Sequence, residues 1–133
     1  MNNAIESFLN KNTVASIAVM INNAPYSFNC FYAFDNTTKS LWFKSSEAST
    51  HVLAIEKNEH ISGTIYRCSH HAFQTEGVQF LGKAKKHDGS FTHNYYSKYP
   101  FARAMPGTLY RVEFVSMKYS VNKAGIKKKL FFP

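Results

Sequence analysis

The sequence predicts a mostly β fold of the α+β kind, a six-stranded antiparallel barrel with short flanking helices. Three observations point to it. The apolar stretches are short, rich in β-branched and aromatic residues, and several alternate with polar positions. Clusters of Asn, Asp, Ser, Pro and Gly separate them at hairpin-like distances. Neither an internal repeat nor a strand–helix–strand rhythm suggests a parallel sheet.

The elements follow in order. Ala4, Ile5, Phe8 and Leu9 recur at helical spacing behind a capping Asn2 or Asn3. Thr13 to Ile21 is apolar on both faces, as a strand in a barrel wall would be, and Asn22-Asn23-Ala24-Pro25 supplies a turn. From Tyr26 to Phe34 the pattern alternates: Tyr26, Phe28, Cys30, Tyr32 and Phe34 share one face, Ser27, Asn29, Phe31 and Ala33 the other. Asp35 to Thr38 makes a hairpin turn, Leu41-Trp42-Phe43 is the return strand, and Ser45-Ser46 ends it. A short helix with Ala48, Val52 and Ile55 on one side comes next.

Ile61 to Tyr66 and Thr75 to Ala84 read as two strands joined through Cys68-Ser69-His70-His71, with Gly63, Gly77 and Gly82 as candidate bulges or bends. Ser90 caps a helix bearing Phe91, Tyr95 and Tyr99, and Pro100 ends it before a short turn over Phe101 to Met105. Leu109 to Tyr119 is a long final strand, with Tyr110, Val112 and Phe114 on one face and Arg111, Glu113 and Met117 on the other. Lys127-Lys128-Lys129 reads as a solvated tail.

At 133 residues the chain suits one domain over 1–133. No apolar run reaches the roughly 20 residues of a membrane helix, and Met1 to Glu6 lacks a secretory signal, so cytoplasmic residence is expected. Two cysteines make no disulfide framework, and Cys30 falls inside an apolar strand. A net charge of +8, from 16 Lys+Arg against 8 Asp+Glu, favours an anionic partner. Nucleic acid is the less favoured one, because the aromatics alternate as core residues rather than lining an exposed face.

Several chemistries find no support. There is no phosphate-binding glycine loop of either common kind, no H-E-x-x-H and no C-x-x-C. His60, Cys68, His70 and His71 lack the paired spacing of zinc sites, so no metal is expected. No Ser or Cys sits in a nucleophile elbow, and the acids are scattered singly. The segment Lys44-Ser45-Ser46-Glu47-Ala48-Ser49-Thr50-His51 is different. Its hydroxyls, cation and helix-start amides are what an anchored phosphate ester needs, though plain capping by Ser46 or Ser49 accounts for the same residues.

Taken with Asn29-Cys30-Phe31-Tyr32-Ala33-Phe34-Asp35, Gly77-Val78-Gln79-Phe80-Leu81-Gly82, Tyr99-Pro100-Phe101-Ala102-Arg103-Ala104-Met105 and the Lys-rich segment before Leu130-Phe131-Phe132, the chain resembles the FMN-binding split barrels related to pyridoxamine 5'-phosphate oxidase, and within them a branch of small bacterial proteins. The resemblance spans nearly the whole chain. It implies a flavoprotein: a split barrel with FMN across a homodimer interface and a flavin-dependent oxidoreductase acting on a small-molecule redox substrate. By the same resemblance, Asn29, Cys30, Phe31, Tyr32 and Phe34 would flank the flavin ring, and Lys44, Ser45, Ser49, Thr50 and His51 would hold the phosphate. Gln79 would reach the cofactor or its neighbouring strand, and Tyr110 and a tail lysine would come from the other subunit.

Three positions depart from the oxidase pattern: Thr50-His51 stands where it has Arg-Lys, and Asn29 where it has Arg. Determinants for a pyridoxine-type substrate are not recognisable. The alternative reading is a non-catalytic, dimeric split-barrel module holding haem or another cofactor.

Overall fold

A computed structural model describes residues 1–67, 69, 74–87 and 93–133. Asn2 caps α1 (Asn3–Lys11) by accepting from the Ala4 amide at 2.7 Å, and Ile5, Phe8 and Leu9 turn inward at i, i+3, i+4. There follow β1 (Val14–Ile21), β2 (Ala24–Asp35), β3 (Ser40–Ser45), α2 (Thr50–Lys57), β4 (His60–Arg67) and β5 (Thr75–Lys86). The chain ends with α3 (His93–Lys98), a 3-10 helix over Pro100–Ala104, β6 (Thr108–Lys123) and β7 (Ile126–Phe132). Among the described residues no helix is long and apolar enough to cross a membrane.

All strands join one antiparallel sheet in the order β3-β2-β1-β4-β5-β6-β7, and pairing of β3 with the first half of β6 closes six of them into a ring. Inward-facing Ile17, Val19, Tyr32, Phe34, Leu41, Phe43, Ile65, Val78, Phe80 and Val112 form the core, to which α1 and α2 add their apolar faces. A second cluster lies outside the ring, where Tyr95 of α3 and Ala102 of the 3-10 helix cover Ala33, Trp42 and Leu109.

The expected helix start at Ser90 and Phe91, and the Cys68, His70 and His71 connection, lie outside the described residues. Two expectations are overturned. The lysine-rich tail is a strand: Ala124 and Gly125, at φ 52° and 78°, make a tight turn that folds Ile126–Phe132 back onto β6, where Leu130 and Phe132 pack against the core. Its lysines blunt an otherwise exposed edge.

The final strand also does not keep a single alternation. Leu81 pairs with Ser116 and Gly82 with Phe114, so Val115 is an extra residue. Tyr110, Val112 and Phe114 turn to the core as expected, but the bulge shifts the phase and buries Met117 and Tyr119 with them. Gly82 is required at this bend, since a Cβ there would come within 2.7 Å of the Glu113 carbonyl oxygen.

Candidate functional site at the split between two strands

The ladder from β2 to β1 runs from Ala24 to Phe31, whereas the ladder from β2 to β3 covers only Tyr32–Asp35. The ring is therefore split beside the first half of β2. Asn22 and Asn23, at φ 50° and 64°, form a two-residue turn that makes Ile21 and Ala24 a hydrogen-bonded pair. By alternation, the backbone N–H and C=O groups of Ser27, Asn29 and Phe31 face the split. Pro25 falls in the same phase, where its missing N–H costs nothing.

The β3–α2 junction forms one lip of this split. Ser45 Oγ lies 2.6 Å from His51 Nε2, and Ser49 Oγ lies 3.3 Å from the same nitrogen and 3.4 Å from Ser45 Oγ. Ser49 is the N-cap residue of α2, yet its side chain caps no amide; its hydroxyl donates instead to the Ser46 carbonyl at 2.7 Å. The first-turn amides of α2 are thus left for another acceptor.

Phe28 fixes the imidazole, stacking on His51 with centroids 3.7 Å apart and planes 10° from parallel. Burial pushes the His51 pKa below its ordinary value, which keeps the ring neutral near pH 7. The carboxylate of Glu47 is turned away from the junction. Lys86 at 2.6 Å and Thr108 at 3.0 Å hold it, and hydrogen bonding to Lys86 foremost keeps its pKa below the usual carboxylate range.

Other expected site residues go elsewhere. Lys44 points to the opposite face of β3, donating to the carbonyls of Ala102 at 2.6 Å and Met105 at 2.7 Å beneath the ring of Tyr96. Thr50 is exposed and lies toward the β1–β2 turn. Of the β2 residues expected at the site, Asn29 and Phe31 carry exposed side chains, Phe31 lying against Tyr99 with centroids 5.8 Å apart. Tyr32 is buried and donates to the Leu9 carbonyl at 2.8 Å; Phe34 is core; and burial pushes the Cys30 thiol up to about 12. Tyr110 is buried against Phe43, with centroids 5.5 Å apart, so its side chain is core and does not reach another subunit.

Gln79 is exposed on β5, away from the junction. Register places it in a row across the outer sheet face: Asn29 pairs with Ser16, Ser16 with Thr64, Thr64 with Gln79 and Gln79 with Lys118. Three strand spacings of about 4.8 Å put Gln79 about 14 Å from Asn29. A groove of about 680 Å³ follows this row, floored by small residues such as Ser16, Ala18 and Gly63 and edged by Leu81 and Phe131. Sequence reasoning missed both the row and the stacking role of Phe28. Register is invisible in one sequence, whereas Phe28 carried a signal, being in phase with Cys30 and two positions from it.

A six-stranded antiparallel ring with short helices, opened beside one strand, is the architecture of the pyridoxamine 5'-phosphate oxidase-like split barrels. Solved structures of this fold superpose on the chain. They include an FAD-binding protein of Mesorhizobium loti (TM-score 0.73, 13% identity, 92% of this chain and 96% of that one). A candidate pyridoxamine 5'-phosphate oxidase of Listeria innocua is another (TM-score 0.71, 10% identity, 88% and 95%). A haem-binding protein of Mycobacterium smegmatis is a third (TM-score 0.73, 12% identity, 98% and 58%).

In sequence, the chain is similar to a UPF0306 protein of Campylobacter jejuni, with 29% identity over 133 residues covering 99% of this chain and 98% of that protein. It is also similar to the UPF0306 protein of Photorhabdus laumondii, at 23% identity over 130 residues covering 95% and 91%. No protein-family model matches the sequence.

Proposed function

We propose that the protein binds FMN at the split and works as a flavin-dependent oxidoreductase on a small-molecule redox substrate. One observation carries this reading: two hydroxyls and an imidazole converge beside uncapped helix-start amides and an unpaired strand edge, with the nearby carboxylate turned away. The donor set fits a phosphate monoester. Ser45 and His51 can donate to it, Ser49 can do so by turning its hydroxyl from the Ser46 carbonyl, the helix end favours negative charge, and His51 can take up a proton as the dianion arrives.

When bound, the isoalloxazine supplies the redox chemistry, and the chain supplies binding, orientation and electrostatics. Backbone groups of Asn29 and Phe31 would line its edge, while Cys30, Tyr32 and Phe34 keep that strand rigid from behind. Lys44 holds the 3-10 helix rather than the phosphate. Because Gln79 sits about 14 Å from Asn29, it reaches a flavin at the split only from a second copy of the chain. Exposed Leu81 and Phe131 on the same face support a homodimer.

The test is a titration of the purified full chain with FMN, followed by fluorescence and absorbance. Saturable binding at one site per chain, with a dimer in sedimentation, is expected. A haem-binding module is the second reading, favoured by the haem-binding Mycobacterium smegmatis protein of the same fold. A Soret band on adding haem, with no response to FMN, would establish it and overturn the flavin reading.

A further inference from the structure

On α2, Thr50, Leu53, Ala54 and Lys57 stand at i, i+3, i+4 and i+7, one stripe of the helix. That stripe faces the β1–β2 turn. Between them runs a groove of about 350 Å³ that also takes in Met20, Asn22 and Asn23. Its volume lies in the range of small-molecule sites, about 300–1,000 Å³. Thr50 lines this groove while its chain neighbours Ser49 and His51 belong to the phosphate seat, so the end of the groove lies one residue from the seat at the first turn of the helix.

Resting on the flavin reading above, we propose that this groove receives the adenylate half of a flavin dinucleotide whose first phosphate occupies the Ser45–Ser49–His51 seat. The chemistry of the walls is what that half requires. Lys57 and the Thr50 hydroxyl, neither of which has a partner among the described residues, meet the second phosphate and the ribose. Side-chain amides of Asn22 and Asn23 face the purine edge with both donors and acceptors. Leu53 and Met20, both partly exposed, give its ring an apolar floor. From Thr50 to Lys57 the helix rises about 10 Å, room for a second phosphate and a nucleoside but not for the flavin ring as well. The ring stays at the free edge of β2, on the other side of His51.

The experiment compares FMN and FAD in fluorescence titrations of the full-length wild type, Lys57→Glu and Leu53→Glu. Both substitutions are at exposed positions, and unchanged thermal unfolding will show that the variants fold. FAD is expected to bind at least about tenfold more tightly than FMN. Each variant should lose about tenfold in FAD affinity while FMN affinity stays within about twofold. FMN binding as tightly as FAD, or a variant weakening both flavins alike, overturns the proposal and leaves the flavin seat standing. Binding of neither flavin to the wild type overturns the seat and the groove together.

Discussion

Lys44 and Ser45 are neighbours on β3, yet they serve opposite regions of the molecule. On the outer face, the Lys44 ammonium is satisfied by two carbonyls and an aromatic ring, and the corner of α3 and the 3-10 helix around it is closed. On the other face, Ser45 opens onto an imidazole, a second hydroxyl and helix-start amides that no side chain caps. In the closed corner the Lys44 ammonium and the Tyr99 hydroxyl are matched to backbone carbonyls within the chain. At the junction the side-chain donors are partnered with one another and with the Ser46 carbonyl, but the helix-start amides are capped by no side chain among the described residues, and those amides beside a free strand edge are what the proposed flavin seat offers. The contrast teaches that a cation and a hydroxyl adjacent in sequence need not act together, since period 2 sends them apart.

Breaking the closed corner should have the larger effect. Lys44→Met removes two charge-assisted hydrogen bonds to carbonyls and is expected to cost about 2–3 kcal/mol of stability in chemical denaturation. Affinity for FMN in the folded protein should scarcely change. The reverse holds at the junction. Ser45→Ala with Ser49→Ala should weaken FMN binding about tenfold, equivalent to about 1.4 kcal/mol. Stability should fall by about 1–2 kcal/mol, less than at Lys44, because the two hydroxyl bonds lost are not to a charged group and Ser49 contributes no cap hydrogen bond. If the double variant unfolds and keeps its flavin affinity, the two regions have been assigned the wrong way round.

A smaller effect is expected at Tyr99, whose hydroxyl ties the closed corner to the barrel by donating to the Tyr32 carbonyl at 2.6 Å. Tyr99→Phe should cost about 1 kcal/mol by the same denaturation measurement and leave flavin binding unchanged.

How much of this was legible in the sequence depends on which forces are local. The alternation of β2 could be read because its two faces differ in chemistry, and the structure keeps it in the middle of the strand, where Phe28, Cys30, Tyr32 and Phe34 turn to the core and Asn29 and Phe31 stay exposed, while Tyr26 of the same expected face is exposed. The Asn22-Asn23 turn was equally clear, since both residues tolerate positive φ. The phase of β6 was not, because the extra residue Val115 looks like any other strand residue and the bend it makes is set by the partner at Gly82. Three successive lysines hid β7, although Ala124-Gly125 was the turn signal. At the site, the segment from Lys44 to His51 was recognisable by composition, and the removal of Lys44 follows from strand geometry once Ser45 is placed. The position of Gln79, far along a row of paired strands, depends on register and could not have been read.

The finest test of the contrast is the pH response of His51. Burial lowers its pKa in the folded protein below the ordinary value near 6.5, so the unfolded chain binds that proton more readily. Its contribution to stability is therefore present above the unfolded pKa and is lost as pH falls through the folded one. The ligand-free protein should melt at a lower temperature at pH 5 than at pH 7.5, and His51→Gln should flatten that part of the slope. A bound phosphate dianion would give the imidazolium an opposite charge, raise its pKa and reduce or reverse the slope. Thermal unfolding of wild type and His51→Gln at both pH values, with and without saturating FMN, measures this directly. A wild-type slope that FMN leaves untouched would mean that no anion rests against His51, and the junction would then be as closed as the corner across the strand.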